Sequence, residues 1–180
     1  MRIELEGISP TVWRRVTVAS RASLQELHDI IQCVMERAID TGHAFEVDGV
    51  EYRDPIDAPP PGHASDDTSL EMLELHPGAA LLHIADHHGE AWRDRVVLER
   101  VTPRLVGQRL PACLAGSRAA PPDDCDSPAR YQAMLLALAH PLDPRSAELR
   151  AWLPDEFDPA YVDIVATNAA LAKIPKHRPA

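Results

Sequence analysis

His43-Ala-Phe-Glu-Val47, then Asp48-Gly49, then Val50-Glu-Tyr-Arg53 is the clearest short-range signal in the chain. Asp-Gly between two β-forming runs predicts a two-residue type I′ turn, whose central residues both take positive φ and whose twist matches that of paired strands. Working backwards from this hairpin, Ser23-Leu-Gln-Glu26 is a capping box. Leu24, Leu27, Ile30, Ile31, Val34 and Ala38 then recur at helical spacing. This predicts an amphipathic helix that ends near Asp40-Thr-Gly42 and lies across a sheet. Earlier still, Arg2-Ile-Glu-Leu-Glu6, a turn at Gly7-Ile-Ser-Pro10, and Val12-Trp-Arg-Arg-Val-Thr-Val18 predict an N-terminal hairpin. Val12, Val16 and Val18 share one face of it, and Trp13, Arg15 and Thr17 the other. Arg14 falls on the apolar face, where it needs a carboxylate partner or an edge position.

Working forwards, residues 54–69 carry four prolines and four aspartates without periodicity and read as a mobile surface loop. A helical turn is expected over 70–75, a buried strand over 79–85, a turn over 86–91 and a returning strand over 92–101. After Pro103 the texture changes to loop and then helix. Pro128 stands at the start of a helix over 131–140, and further helices are expected over 145–152 and 159–173. The predicted architecture is α+β: an antiparallel sheet that starts with a β-hairpin and crossing helix, followed by C-terminal helices packed beside the sheet. One domain is expected over 1–175, with a β-rich part over 1–102 and a cysteine loop and helical part over 103–175.

The formal charge is −10, and the densest basic cluster is Trp13-Arg14-Arg15. Counterion release needs a basic footprint, so nucleic-acid binding is disfavoured, and an anionic membrane still more. A protein partner or a metal ion suits this field better. Three cysteines, an odd number, and the lack of an apolar N-terminal segment point to the cytoplasm with reduced thiols. No Gly-rich phosphate loop, Gly-x-Ser-x-Gly elbow or His-Glu-x-x-His helix is present.

Several stretches together resemble the plasmid pRiA4b ORF-3-like family, some of whose members are labelled as transposon passenger proteins. They are Leu5-Glu-Gly-Ile-Ser-Pro-Thr-Val-Trp-Arg-Arg15, the 24–35 helix, His43-Ala-Phe-Glu-Val-Asp-Gly-Val-Glu-Tyr52, Pro77-Gly78, the segment from Asp86 to Trp92, the Cys113-to-Cys125 loop, and Trp152 through Phe157-Asp-Pro159. The resemblance covers roughly residues 2–170 and implies an α+β fold, a link to mobile elements and a family of largely unknown function. This chain departs from the pattern in two places. Asp94 stands where the family carries a histidine after its tryptophan, and Ala120 replaces a middle cysteine before Pro-Pro.

Three groups of side chains are candidate sites. Cys113 and Cys125, with Asp123 and Asp124, could supply part of a zinc site or a thiol pair, or could simply form a rigid Pro-Pro loop. His83 and His87 share a strand face if β geometry persists. With His76, His88, Asp86 and Glu90 they would suit a divalent metal, or else form a solvated turn. Trp13 and Arg15, together with Asp86, Glu90 and Trp92, would suit binding of a carboxylate or phosphate, or an ion-paired strand face. His28, Cys33 and His140 read as structural. The function expected on these grounds is a non-enzymatic binding or interaction module. The alternative is a metal-dependent or thiol enzyme that joins the cysteine loop to His83 or His87.

Overall fold

The computed structural model describes residues 1–38, 41–54, 63–87, 90–122, 125–140, 142–154 and 157–175, with the side chains of 86, 87 and 90 left aside. Eight strands form a single sheet: β1 (Arg2–Leu5), β2 (Trp13–Thr17), β3 (His43–Val47), β4 (Val50–Arg53), β5 (His63–Ala64), β6 (Ala80–His87), β7 (Glu90–Val97) and β8 (Ala112–Ser117). Their spatial order is β5-β4-β3-β6-β7-β1-β2-β8, and every pairing except β4 with β5 is antiparallel. Helix α1 (Leu24–Val34) crosses the sheet. The helices α2 (Pro128–Ala139), α3 (Pro144–Trp152) and α4 (Ile164–Leu171) follow the last strand. The fold is therefore α+β, as expected.

Local chemistry explains each anchor. Asp48 (φ 49°) and Gly49 (φ 80°) both take positive φ, and Val47 pairs with Val50, as a type I′ hairpin requires. The Ser23–Glu26 capping box is formed in both directions, with its two hydrogen bonds at 3.1 Å. Leu24, Leu27, Ile30, Ile31 and Val34 are all buried, each worth roughly 1.5–3 kcal/mol of apolar transfer. They meet Ile3, Leu5, Val16, Phe45 and Val96 from the inner face of the sheet. The outer face carries paired charges. Arg15 forms two 2.7 Å bonds to Glu99, Arg2 and Arg95 approach Glu4, and Arg93 approaches Glu6.

Four expectations need correction. The stretch after Pro103 is not all loop before the helices, because Ala112–Ser117 adds strand β8 to the edge beyond β2. Its Ala, Gly and Ser residues have weak strand preference, so its sequence gave little sign of it. The expected turn over 86–91 is tighter, since pairing continues through Asp86↔Ala91 and His87↔Glu90. In the 54–69 segment, residues 55–62 lie outside the described residues, while 63–69 are ordered against α1, with Ser65 and Thr68 buried. The carbonyls of Ser65 and Thr68 accept the amides of Gln25 and Leu24, which α1 leaves unfilled at its start. The last helix begins at Ile164 rather than 159, where the Asp163 carboxylate accepts the Val165 and Ala166 amides.

Arg14 finds the expected carboxylate partner in Glu36, and four backbone carbonyls besides. It lies fully buried between β1 and β8, and its guanidinium donates to the carbonyls of Val34, Trp13, Ser117 and Arg118, while Glu36 stands 3.8 Å away. Gly116 leaves the room this side chain requires, since a Cβ there would lie 2.8 Å from Arg14 Cδ. At the outer edge of β8, the Asn168 side chain of α4 donates to the Cys113 carbonyl and accepts its amide, both at 2.9 Å.

Candidate functional site

Apolar spacing continues to Ala38, yet α1 stops at Val34 because the chain reverses there. Glu36 takes φ 56°, the Arg37 amide donates to Gln32 and the Glu36 amide to Cys33. This is a Schellman ending with glutamate where glycine is usual, so the left-handed conformation carries strain that packing must hold. The reversal sends Arg37 down beside the sheet. Its Nη2 donates to Asp94 Oδ2, and its side chain is only 7% exposed.

Behind Asp94 runs a buried chain of hydrogen bonds. Asp94 faces His83 in the β6–β7 register, and His83 Nδ1 lies 2.9 Å from Asp94 Oδ2. His83 Nε2 lies 2.9 Å from His28 Nδ1. Burial alone would raise the Asp94 carboxyl pKa, but the Arg37 guanidinium and the His83 hydrogen bond outweigh it and hold it below the usual aspartate range. The ionised carboxylate accepts the His83 Nδ1 proton, which leaves Nε2 to accept from His28. Burial keeps His83 below the ordinary histidine pKa, against the pull of Asp94. His43 stacks on His28 with centroids 4.0 Å apart and shares a 2.9 Å hydrogen bond with Ser65 Oγ. Burial, then the proximity of His83, lowers its pKa to about 4.

The end of this chain opens on a cleft of about 360 Å³ lined by Arg37, Trp92, Pro121, Pro122 and Cys125, with Glu36 and Ala38 at its margin. Arg37 Nε and Nη1, buried in its wall, have no hydrogen-bond partner, and Asp94 Oδ1 has none either. Trp92 is almost wholly buried, and the Arg37 guanidinium carbon stands 5.8 Å from its ring centre. Cys125 also borders a second groove of about 380 Å³ between α2 and α3, walled by Met134, Ala137, Leu149 and Trp152.

The structure distributes the expected site residues unevenly. Trp92 and Cys125 share the cleft. Trp13 and Arg15 lie on the opposite face of the sheet, where Arg15 is engaged by Glu99 and Trp13 lies between Arg2 and Arg15, at 4.3 and 5.5 Å. Asp123, Asp124 and His88 fall outside the described residues, as do the side chains of Asp86, His87 and Glu90. Both ring nitrogens of His83 are occupied, one by His28 and one by Asp94. Cys113 and Cys125 are buried thiols that donate to Ala115 and Ser127 carbonyls at 3.6 and 3.7 Å. Burial raises both pKa values, the reverse of an activated thiolate. All three cysteines are free. Among the described residues, no three His, Cys, Asp or Glu side chains are grouped to hold a metal ion. No helix among the described residues is long and apolar enough to cross a membrane.

Sequence reasoning missed Arg37, Asp94, His28 and His43. His28 has the convergent partners that it was expected to lack. The signal lay in register: His83 and Asp94 are polar residues at inward strand positions, and a hairpin centred between residues 88 and 89 pairs them directly.

A profile of the plasmid pRiA4b ORF-3-like protein family matches residues 1–166. The chain belongs to this family. It is 29% identical to the uncharacterized protein y4hQ of Sinorhizobium fredii, over 95% of this chain and 89% of that relative. It is also similar to the crystal structure of MM3350, a protein of unknown function from Methanosarcina mazei Go1. The TM-score is 0.79 at 29% identity, covering 91% of this chain and 93% of the other. Neither relative's description assigns it an activity.

Proposed function

We propose that this pRiA4b ORF-3-like protein is a non-enzymatic binding module for a protein partner, and that the Arg37–Trp92 cleft is where the partner docks. The observation that carries this reading is a cleft walled by Trp92, Pro121 and Pro122 against a guanidinium that Asp94 holds almost out of solvent. The cleft has room for roughly ten water molecules, more than one ordered solvent molecule needs and within the range of ligand sites. The His28–His83–Asp94 chain fixes Arg37, so this wall of the cleft is held in a set position.

The protonated, self-satisfied thiols favour binding over thiol catalysis. The ion-paired outer face, with Arg2, Arg15, Arg93 and Arg95 each beside a glutamate, gives no support to nucleic acid as the partner. Three free cysteines suit a reducing compartment such as the cytoplasm. We read residues 1–175 as one domain, supported by the pairing of β8 with β2 and the packing of α4 on α1. The link to mobile elements belongs to the same proposal and rests on the family description.

The test is to pan a random-peptide display library against the wild-type protein and against Ala38→Trp, which fills the mouth of the cleft. Peptides enriched on the wild type and lost on the variant are expected. Enrichment that is equal on both, or absent from both, sinks the reading.

A further inference from the structure

We infer that the loop between β7 and β8 is a second docking surface, and that it takes an acidic protein segment carrying aliphatic side chains. None of its residues lines the Arg37–Trp92 cleft, so this surface is separate from the site already described. Residues 101–107 are all exposed, yet the tip of the loop is hydrogen-bonded into a defined shape. The Gln108 amide donates to the Leu105 carbonyl at 3.1 Å and Gly107 takes φ 78°, which makes Leu105-Val106-Gly107-Gln108 a type II turn. Two further bonds clamp it. The Leu105 amide donates to the Gln108 side-chain oxygen at 3.1 Å, and Arg104 Nη2 donates to the Gln108 carbonyl at 3.2 Å. The clamped turn holds aliphatic side chains out to solvent: Val106 is fully exposed, Leu105 71% and Val101 69%.

The charge on this loop is of one sign and uncompensated. No aspartate or glutamate occurs from Arg100 to Pro122, in a chain of formal charge −10. Arg2, Arg15, Arg93 and Arg95 each lie beside a glutamate on the outer face of the sheet. Arg100, Arg104 and Arg109 are exposed and have no ion pair among the described residues. Charges are screened over about 8 Å in physiological salt. A short segment on the loop is therefore governed by these three arginines, while an extended polyanion also meets the acidic remainder of the chain. The tip holds no aromatic residue, so it gives bases no stacking face and a bilayer interface no Trp or Tyr anchor. Carboxylates to pair with the arginines and aliphatic groups to cover Leu105 and Val106 occur together on a peptide segment.

The experiment pans a random-peptide display library against the full chain carrying Ala38→Trp, whose cleft is filled. The same library is then panned against that chain with Leu105→Ser and Val106→Ser added. Both serines replace exposed side chains and leave the turn's hydrogen bonds in place, which circular dichroism melts check. The expected peptides are rich in Asp and Glu with interspersed Leu, Ile or Val, and they are retained by the first protein and lost from the second. One of them, labelled with fluorescein, should bind about tenfold more weakly to Leu105→Ser/Val106→Ser than to the wild type, and about tenfold more weakly to Arg100→Gln/Arg109→Gln. Added salt should weaken it more on the wild type than on the arginine variant.

No enriched peptide, peptides that ignore the loop substitutions, or peptides that depend on them without an acidic bias overturn the inference. So does a single-stranded oligothymidylate or a phosphatidylserine vesicle that binds through the same residues more tightly than the peptide. Self-association in light scattering that the serine substitutions abolish overturns it too, because the occupant is then a second copy of this chain. Failure of the cleft reading is a different result: no peptide is lost on Ala38→Trp, and the loop-dependent peptides remain.

Discussion

Acid destabilises this protein at a higher pH than its carboxylates alone would dictate, and His43 is the main cause. The imidazole is stacked on His28, bonded through Nε2 to Ser65, and buried with Nδ1 making no hydrogen bond, 3.7 Å from the Asp54 carboxylate, whose opposing pull is outweighed. Burial, then His83, moves its pKa from the ordinary 6.5 to about 4. Between those values the unfolded chain holds more protons than the folded one, so stability rises with pH across the window and is lost as pH falls through it. The full difference is worth about 3 kcal/mol, of which about 2 kcal/mol has gone by about pH 5. His83 is displaced in the same direction and adds to the slope. Asp94, held below its ordinary 3.8, acts elsewhere, because its contribution is lost only as pH falls below that value. Urea melts followed by circular dichroism at about pH 7, 6 and 5, on the wild type and His43→Phe, read the effect directly. The variant is expected to be weaker at neutral pH through loss of the Ser65 bond, and to lose about 2 kcal/mol less on acidification. Equal pH dependence in the two proteins, or a His43 resonance titrating near 6.5 in the folded state, refutes the reasoning.

Three further substitutions probe the site and its frame. Asp94→Ala leaves the buried Arg37 cation without its counter-ion and should cost about 3–5 kcal/mol by denaturant melt; a loss below about 1 kcal/mol would mean the pair is not buried as described. Gly116→Ala places a Cβ 2.8 Å from Arg14 Cδ and 3.1 Å from the Trp13 carbonyl, and four hydrogen bonds hold Arg14 in place, so a cost of about 1–3 kcal/mol is expected in thermal unfolding. Asn168→Ala removes both bonds to the Cys113 backbone and uncovers the β8 edge; it should cost about 1–3 kcal/mol and produce concentration-dependent self-association in light scattering, whereas an unchanged monomer would show the edge to be protected some other way.

Much of the frame was legible because it is written in short-range chemistry. The Asp48-Gly49 turn, the Ser23–Glu26 box and the spacing of Leu24, Leu27, Ile30, Ile31 and Val34 each specify local geometry without help from distant residues. The end of α1 was not legible, because a left-handed Glu36 lacks the glycine that normally marks such a turn. Strand β8 was missed because its support comes from Arg15, Val16 and Asn168, all far away in sequence. The site was hidden for a related reason. Arg37, Asp94, His83 and His28 meet across two strands and a helix, so no spacing in the sequence groups them, although the His83–Asp94 register was available. Attention went instead to cysteines and turn histidines, which stand close together in the chain. Of these, among the described residues, Cys125 reaches the cleft.

The strand order has a consequence for synthesis. β1 and β2 leave the ribosome before the other strands of this sheet, yet they finish deep in it, with Arg2 opposite Val97 and Trp13 opposite Ser117. Both flanks of this earliest hairpin therefore wait for partners made roughly a hundred residues later, during seconds of elongation. Over that interval its alternating charges, Arg2, Glu4, Arg14 and Arg15, stand between a nascent apolar ribbon and premature pairing with other chains. In the finished sheet Arg14 turns inward and ties β2, α1 and the end of β8 together.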